Sequence, residues 1–365
     1  MYKLNLRHLV IALVCQTAAL TSHGSDFIDP LVRPSPELES LGANVRINAV
    51  SGAGDRLVAV GPRGLVLVSD DLGQSWTQHQ APLSSDLVAV RFRSDKLGWA
   101  VGHDGVVLNT QDGGLTWVKQ LDGLQAVERI KVYYDLDGPG AQALPEQMRD
   151  DLARMVADGA DKPFLDVLFI SDREGFAVGA FNIAMRTLDG GKSWTPIIDK
   201  TDNPLGYHMY SLALAGDDLY LAGERGLLRR WNAASESFET VETPYEGSFF
   251  GVVAKDRDTL FAYGLQGNIF RSTDRGRSWT HLNVPGEASI TCATLLPDGR
   301  LVFADLGGRA LITDDDGKTF TPLIGKRAMP YFGVAAVQGD RVLVVGRNGA
   351  DVISTPDQPG RTTRR

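Results

Sequence analysis

Short runs of alternating apolar and polar residues recur along this chain between glycine-rich turns. In one stretch they are Leu87–Phe92, Trp99–Val101, Val106–Asn109 and Thr116–Gln120. Period-two alternation bounded by turn residues predicts short, half-buried β-strands. A Gly-x-x-Gly turn, Gly102-His103-Asp104-Gly105, joins the second run to the third. The third and fourth are joined by an eight-residue pattern, Thr110–Trp117 (TQDGGLTW). The pattern returns as Ser69–Trp76 (SDDLGQSW), Thr187–Trp194 (TLDGGKSW), Ser272–Trp279 (STDRGRSW) and Thr313–Phe320 (TDDDGKTF). Its rule is Ser/Thr, any, Asp, any, Gly, any, Ser/Thr, aromatic.

The aromatic ends lie at 76, 117, 194, 279 and 320, at intervals of 41, 77, 85 and 41. The interval of 85 hides a degenerate copy at Asn232–Phe238, preceded by strand-like Leu219–Gly223 and Leu227–Trp231. The interval of 77 hides an insertion, about 122–163. Within it, Met148, Leu152, Met155 and Val156 share one face of a predicted helix over Pro145–Ala157, stopped by Gly159. A seventh unit, Val334–Val337, Val342–Gly346 and Gly349–Ser354, has three runs rather than four. Seven units of about 41 residues predict an all-β fold: a seven-bladed β-propeller of four-stranded blades with one helical insertion. The propeller spans 25–356. Residues 25–33 are expected to supply the missing strand and close the ring. The polar tail 357–365 is expected to be disordered.

Composition is that of an ordinary globular protein, and the net charge of −8 argues against nucleic-acid or anionic-membrane binding. The N-terminus adds a location. Lys3 and Arg7 precede apolar Leu9–Val14 and Ala18–Leu20, and Ser22-His23-Gly24 offers a cleavage site. Residues 1–24 therefore read as a signal peptide, and the mature chain as periplasmic or otherwise exported. Val14 before Cys15 does not suit lipidation. No later stretch is apolar enough to span a bilayer. Cys292, in the apolar run Ile290–Leu296, reads as a buried, inert thiol.

In the box, the Asp accepts backbone N–H groups within the turn and the Gly takes a positive φ. The acidic turns lack the alternating spacing of a calcium loop. The pattern resembles the Asp-box, or bacterial neuraminidase repeat. Beyond the boxes, Phe27–Pro30 (FIDP), Asp55–Gly61 (DRLVAVG), Gly98–Gly105 (GWAVGHDG) and Gly175–Gly179 (GFAVG) resemble bacterial relatives of the photosystem II stability/assembly factor family. That resemblance implies a seven-bladed propeller. In photosynthetic members it implies a non-catalytic, chaperone-like role in membrane-protein assembly.

No catalytic constellation is evident. A sialidase needs an arginine triad; Arg46, Arg230 and Arg309 are the nearest available, and Val45-Arg46-Ile47-Asn48 lacks that class's flanking aromatic and proline. The four histidines after residue 24 have no metal-ligand spacing, and no cofactor motif occurs. In a propeller the boxes share one face, and the tips between strands two and three share the other with the blade-to-blade connections. Those tips are Pro62-Arg63, His103-Asp104, Phe181-Asn182, Glu224-Arg225, Leu265-Gln266, Leu306-Gly307 and Arg347-Asn348. The starts of the innermost strands add Phe164, Tyr210, Phe249-Phe250 and Tyr331-Phe332. Aromatics with arginine suit a protein-binding core. Arg63, His103, Asp104, Phe181, Tyr210, Arg225, Phe250, Phe332 and Arg347 are the partner-binding candidates. The expected function is non-enzymatic binding of a protein partner, as an assembly or accessory factor for an envelope membrane protein or transporter. The alternatives are a glycan-directed hydrolase or lectin, and a scaffold for an apolar ligand.

Overall fold

The computed structural model describes residues 28–38 and 45–356. The predicted leader 1–24 and tail 357–365 lie outside the described residues. Seven antiparallel sheets follow one another, each with its strands in chain order. The blades run Ala49–His79, Leu87–Leu121, Phe164–Pro196, Met209–Thr240, Phe249–His281, Ile290–Leu323 and Tyr331–Ser354. The first strands of consecutive blades touch in a ring, and that of blade seven returns to that of blade one. They are therefore innermost. The core is split into wedges between neighbouring blades: Leu57, Ala59 and Leu67 of blade one meet Ala335, Leu343 and Val345 of blade seven.

Closure differs from expectation. Among the described residues, blade seven has three strands and no fourth is supplied by 28–33. That segment turns, with Val32 and Arg33 N–H donating to the Asp29 carbonyl at 3.1 Å. It then runs beside the connection between blades one and two, where Ser84 N–H donates to Pro30 O at 2.9 Å and Ser35 N–H to Ala81 O at 3.0 Å. Leu31 is buried there. Pro30, Pro34 and Pro36 remove the donors a ladder strand needs. The ring is held shut by wedge packing and by Ile47 N–H to Gly346 O, 3.0 Å.

Each box is a hydrogen-bonded fastener between strands three and four. In blade one, Ser69 Oγ donates to Asp71 Oδ1 (2.8 Å) and accepts from Gly73 N–H (2.8 Å). Ser75 N–H and Oγ–H donate to the two Asp71 oxygens at 2.8 and 2.6 Å. The same bonds recur around Asp112, Asp189, Asp274 and Asp315. The degenerate copy in blade four is a tighter hairpin, Asn232 pairing with Ser237, with Trp231 and Phe238 packed edge to face at 5.0 Å.

The insertion holds three helices: α1 (Gly123–Tyr133), α2 (Gly140–Ala143) and α3 (Glu146–Asp158). α3 starts one residue after the predicted Pro145, which sits at the N-cap. α1 was not anticipated, although Asp122 and Gln125 form a capping box at its start. Ala126, Ile130, Leu152 and Met155 bury these helices against blades two and three.

Candidate partner-binding face

Two concentric features define the face opposite the boxes. The inner one is a repeated β-bulge. In blades two to seven the register breaks one residue into the first strand, leaving Val88, Leu165, Tyr210, Phe250, Thr291 and Phe332 unpaired. Asn48 follows Ile47 at the corresponding place in blade one. The residue before each bulge (Ile47, Leu87, Phe164, Met209, Phe249, Ile290 and Tyr331) is buried, while every bulge residue is partly exposed. A bulge re-aims a side chain. Here it splits each pair, sending one residue into the wedge and the next toward the mouth of the ring.

The candidates Tyr210, Phe250 and Phe332 are therefore separated from Phe249 and Tyr331, which serve the core. Tyr210 and Phe250 rings lie edge to face at 5.5 Å, and the Arg46 guanidinium lies 5.2 Å from the Phe332 centroid. Tyr210 Oη donates to Glu224 Oε1 at 3.2 Å. Burial, then the Glu224 charge, pushes the phenol up to about 12, so it stays neutral and donating.

The outer feature is the set of tips between strands two and three. In five blades a side-chained residue occupies the left-handed region: Arg63 (φ 56°), Asp104 (56°), Phe181 (54°), Arg225 (51°) and Gln266 (57°). Such a conformation is strained for these residues. The hydrogen bonds that hold the tips come from the neighbouring blade connection, as when Arg63 N–H donates to Asp86 Oδ1 (2.8 Å) and His103 N–H to Asp86 O (2.9 Å). Arg63, His103, Phe181, Arg225 and Arg347 are exposed, and Asp104 partly so.

Blade three corrects the expected register. Its tip is Ala180-Phe181, and Asn182 (φ 65°) takes the place of the glycine. Asn182 is buried and accepts from Thr201 Oγ1 (2.8 Å) and Asn203 Nδ2 (3.1 Å), anchoring the loop 198–206. Tyr134 of the insertion donates from Oη to Asp199 Oδ1 at 2.7 Å in the same loop. Between α3 and this loop opens a groove of about 630 Å³, with Phe181 on its wall.

Asn48, Val88, Leu165 and Thr291 were missed as members of the inner ring. Aligning the starts of the seven first strands would have found them, because each follows a buried apolar residue at the same offset. The arginines considered for a sialidase triad have separate partners: Arg46 bonds Asn48, Arg309 bonds Asp305, and Arg230 pairs on the third strand of blade four. Among the described residues, no group of three or more His, Cys, Asp or Glu is placed to hold a metal. Cys292, on the innermost strand of blade six, is half-buried as a residue and packs against the apolar wedge between blades six and seven.

A family model described as "Photosynthesis system II assembly factor YCF48" matches residues 74–136 and 147–303. The chain belongs to this family. Among curated relatives, the photosystem II assembly lipoprotein Ycf48 of Synechococcus sp. (strain CC9902) is 23% identical over 307 residues, 79% of this chain and 82% of the relative. The rice chloroplast photosystem II stability/assembly factor HCF136 is 25% identical over 187 residues, half of this chain and 42% of that relative's length. Both are described as photosystem II assembly proteins. Two solved structures share the fold. YCF48 bound to D1 peptide has a TM-score of 0.60 at 17% identity, covering 86% of this chain and 94% of that one. YCF48 from Cyanidioschyzon merolae has a TM-score of 0.61 at 16% identity, covering 89% of this chain and 99% of that one. The YCF48-family match includes α1 and nearly all of α3, and omits the residues 137–146 between them.

Proposed function

We propose that this chain is an exported, non-enzymatic assembly factor that holds a segment of a membrane-protein partner on the face opposite the boxes. The observation that carries the reading is the inner ring. Six consecutive bulges lift one side chain each out of the wedges, and three of these are aromatics, Phe332 beside Arg46 and Tyr210 bonded to Glu224. Partly exposed aromatics beside arginine are the side chains that anchor protein interfaces. Family membership supports partner binding, and a relative of the same fold is described as bound to a peptide. Residues 1–24 support export, and one relative is described as a lipoprotein. The partner of this chain is an envelope membrane protein or transporter.

The test is site-specific photo-crosslinking in the envelope. A photoreactive residue at Phe250 or Phe332 should trap one discrete membrane protein, identified by mass spectrometry, and the same residue at Gln74 on the box face should not. Equal trapping from both faces, or none from the ring, would overturn the proposal.

A further inference from the structure

We propose that the groove between α3 and the loop 198–206 receives a polypeptide segment of the partner that carries a large apolar side chain flanked by Lys or Arg. This deepens the protein-binding reading and rests on it.

The groove has an apolar floor and an acidic rim. Met148, Leu152, Met155 and Ile198 form the floor. Methionine adapts its shape to an incoming side chain. Four carboxylates, Asp151, Asp158, Asp199 and Asp202, line the groove against two cations, Arg154 and Lys162. Both cations are already engaged, Arg154 with Asp151 at 3.7 Å and Lys162 with Asp158 at 2.8 Å. Asp202 pairs with Arg229, outside the lining, at 3.1 Å, and Asp199 meets the Tyr134 hydroxyl. Asp199, the carboxylate of the rim without an ion pair among the described residues, favours a cationic occupant.

Phe181 is the second, independent sign. Four other blades place Arg, Asp, Arg and Gln at this left-handed position, all polar. Blade three places a phenylalanine there and leaves it 54% exposed. Lys162 Nζ lies 5.1 Å from the ring centroid and the His208 ring packs edge to face at 4.6 Å. Leu205, which also lines the groove, is 70% exposed, between Pro204 and Gly206. A strained aromatic and an exposed leucine facing one acidic, Met-floored groove match an apolar anchor with basic neighbours.

The test uses the purified mature chain and two labelled synthetic peptides with a Leu-Phe-Leu centre, one flanked by Lys and Arg, the other by Glu. Anisotropy titration should show the basic peptide binding at least about tenfold more tightly, and more weakly as salt rises. Leu205→Lys and Phe181→Asn should each weaken it by about tenfold or more. Both replace exposed side chains, and Asn tolerates the left-handed backbone, so unchanged melting would establish that these variants fold. The box-face variant Gln74→Ala should bind the peptide unchanged. No saturable binding, equal affinity for the acidic peptide, or indifference to both groove variants would overturn the proposal. Failure of ring crosslinking with retained peptide binding would remove the partner reading and leave the groove. Ring crosslinking without peptide binding would do the reverse.

Discussion

Arg91 and Asp166 join blades two and three by a two-pronged ion pair, Nε to Oδ1 at 3.1 Å and Nη2 to Oδ2 at 2.8 Å. The same carboxylate accepts the N–H of Val167 (2.9 Å) and that of Leu212 in blade four (2.9 Å). One side chain thus stitches three blades. Asp166 is 4% exposed and Arg91 48%. Removing the buried partner strands two amides and a cation, so Asp166→Ala should cost about 3 kcal/mol, read from urea unfolding midpoints. Arg91→Ala should cost less, because its own charge is half in solvent.

The split within each strand start predicts opposite phenotypes for adjacent residues. Phe249→Ala and Tyr331→Ala empty a wedge and should destabilise by about 3–5 kcal/mol. Phe250→Ala and Phe332→Ala should leave thermal melting within about 1 kcal/mol of the parent and lose partner crosslinking. Equal melting losses at both positions of a pair would contradict the bulge assignment.

The left-handed tips separate stability from function in the other direction. Arg225→Gly relieves the positive φ and should stabilise slightly, by about 0.5 kcal/mol after the added chain entropy. It also removes a guanidinium 5.9 Å from the Tyr207 ring on the binding face. Calorimetry should show a higher melting temperature while partner crosslinking weakens.

The boxes predict an acid limb. At Asp71 and Asp274 the Ser75 and Ser278 hydroxyls, then the backbone N–H groups of the same residues, hold the carboxyl at about 2 instead of the ordinary 3.8. The folded value is below the unfolded one, so the stabilisation is complete above about pH 4 and is lost as pH falls through about 2. Melting temperature should drop over that window. The Asp71→Asn, Asp274→Asn double variant should start lower at neutral pH and fall less steeply.

Cys292 should be slow to alkylate. Burial pushes its thiol up to about 12, so little thiolate exists at pH 8. Iodoacetamide labelling of the folded chain should be far slower than in denaturant, and equal rates would place the thiol in solvent.

The blade count, the box register and the place of the insertion were legible in the chain. They depend on local signals: strand alternation repeats every two residues, and each box satisfies its own turn through Ser or Thr, Asp and Gly. The exposed tips were legible for the same reason, apart from the one-residue shift at Phe181, where Asn182 replaces the expected glycine. Other features required contacts between distant segments. Residues 28–33 could have extended blade seven, but Leu31 found burial between blades one and two while the prolines withheld donors. The bulges appear only when first and second strands are paired, and that pairing decided which aromatic of Phe249-Phe250 and Tyr331-Phe332 fills a wedge and which faces a partner. The groove needed α3 and the loop 198–206 brought together by Asn182 and Tyr134. Local patterns determine turns and strands because their hydrogen bonds close within a few residues. Exposure, charge surplus and binding shape depend on which strangers in sequence become neighbours in space.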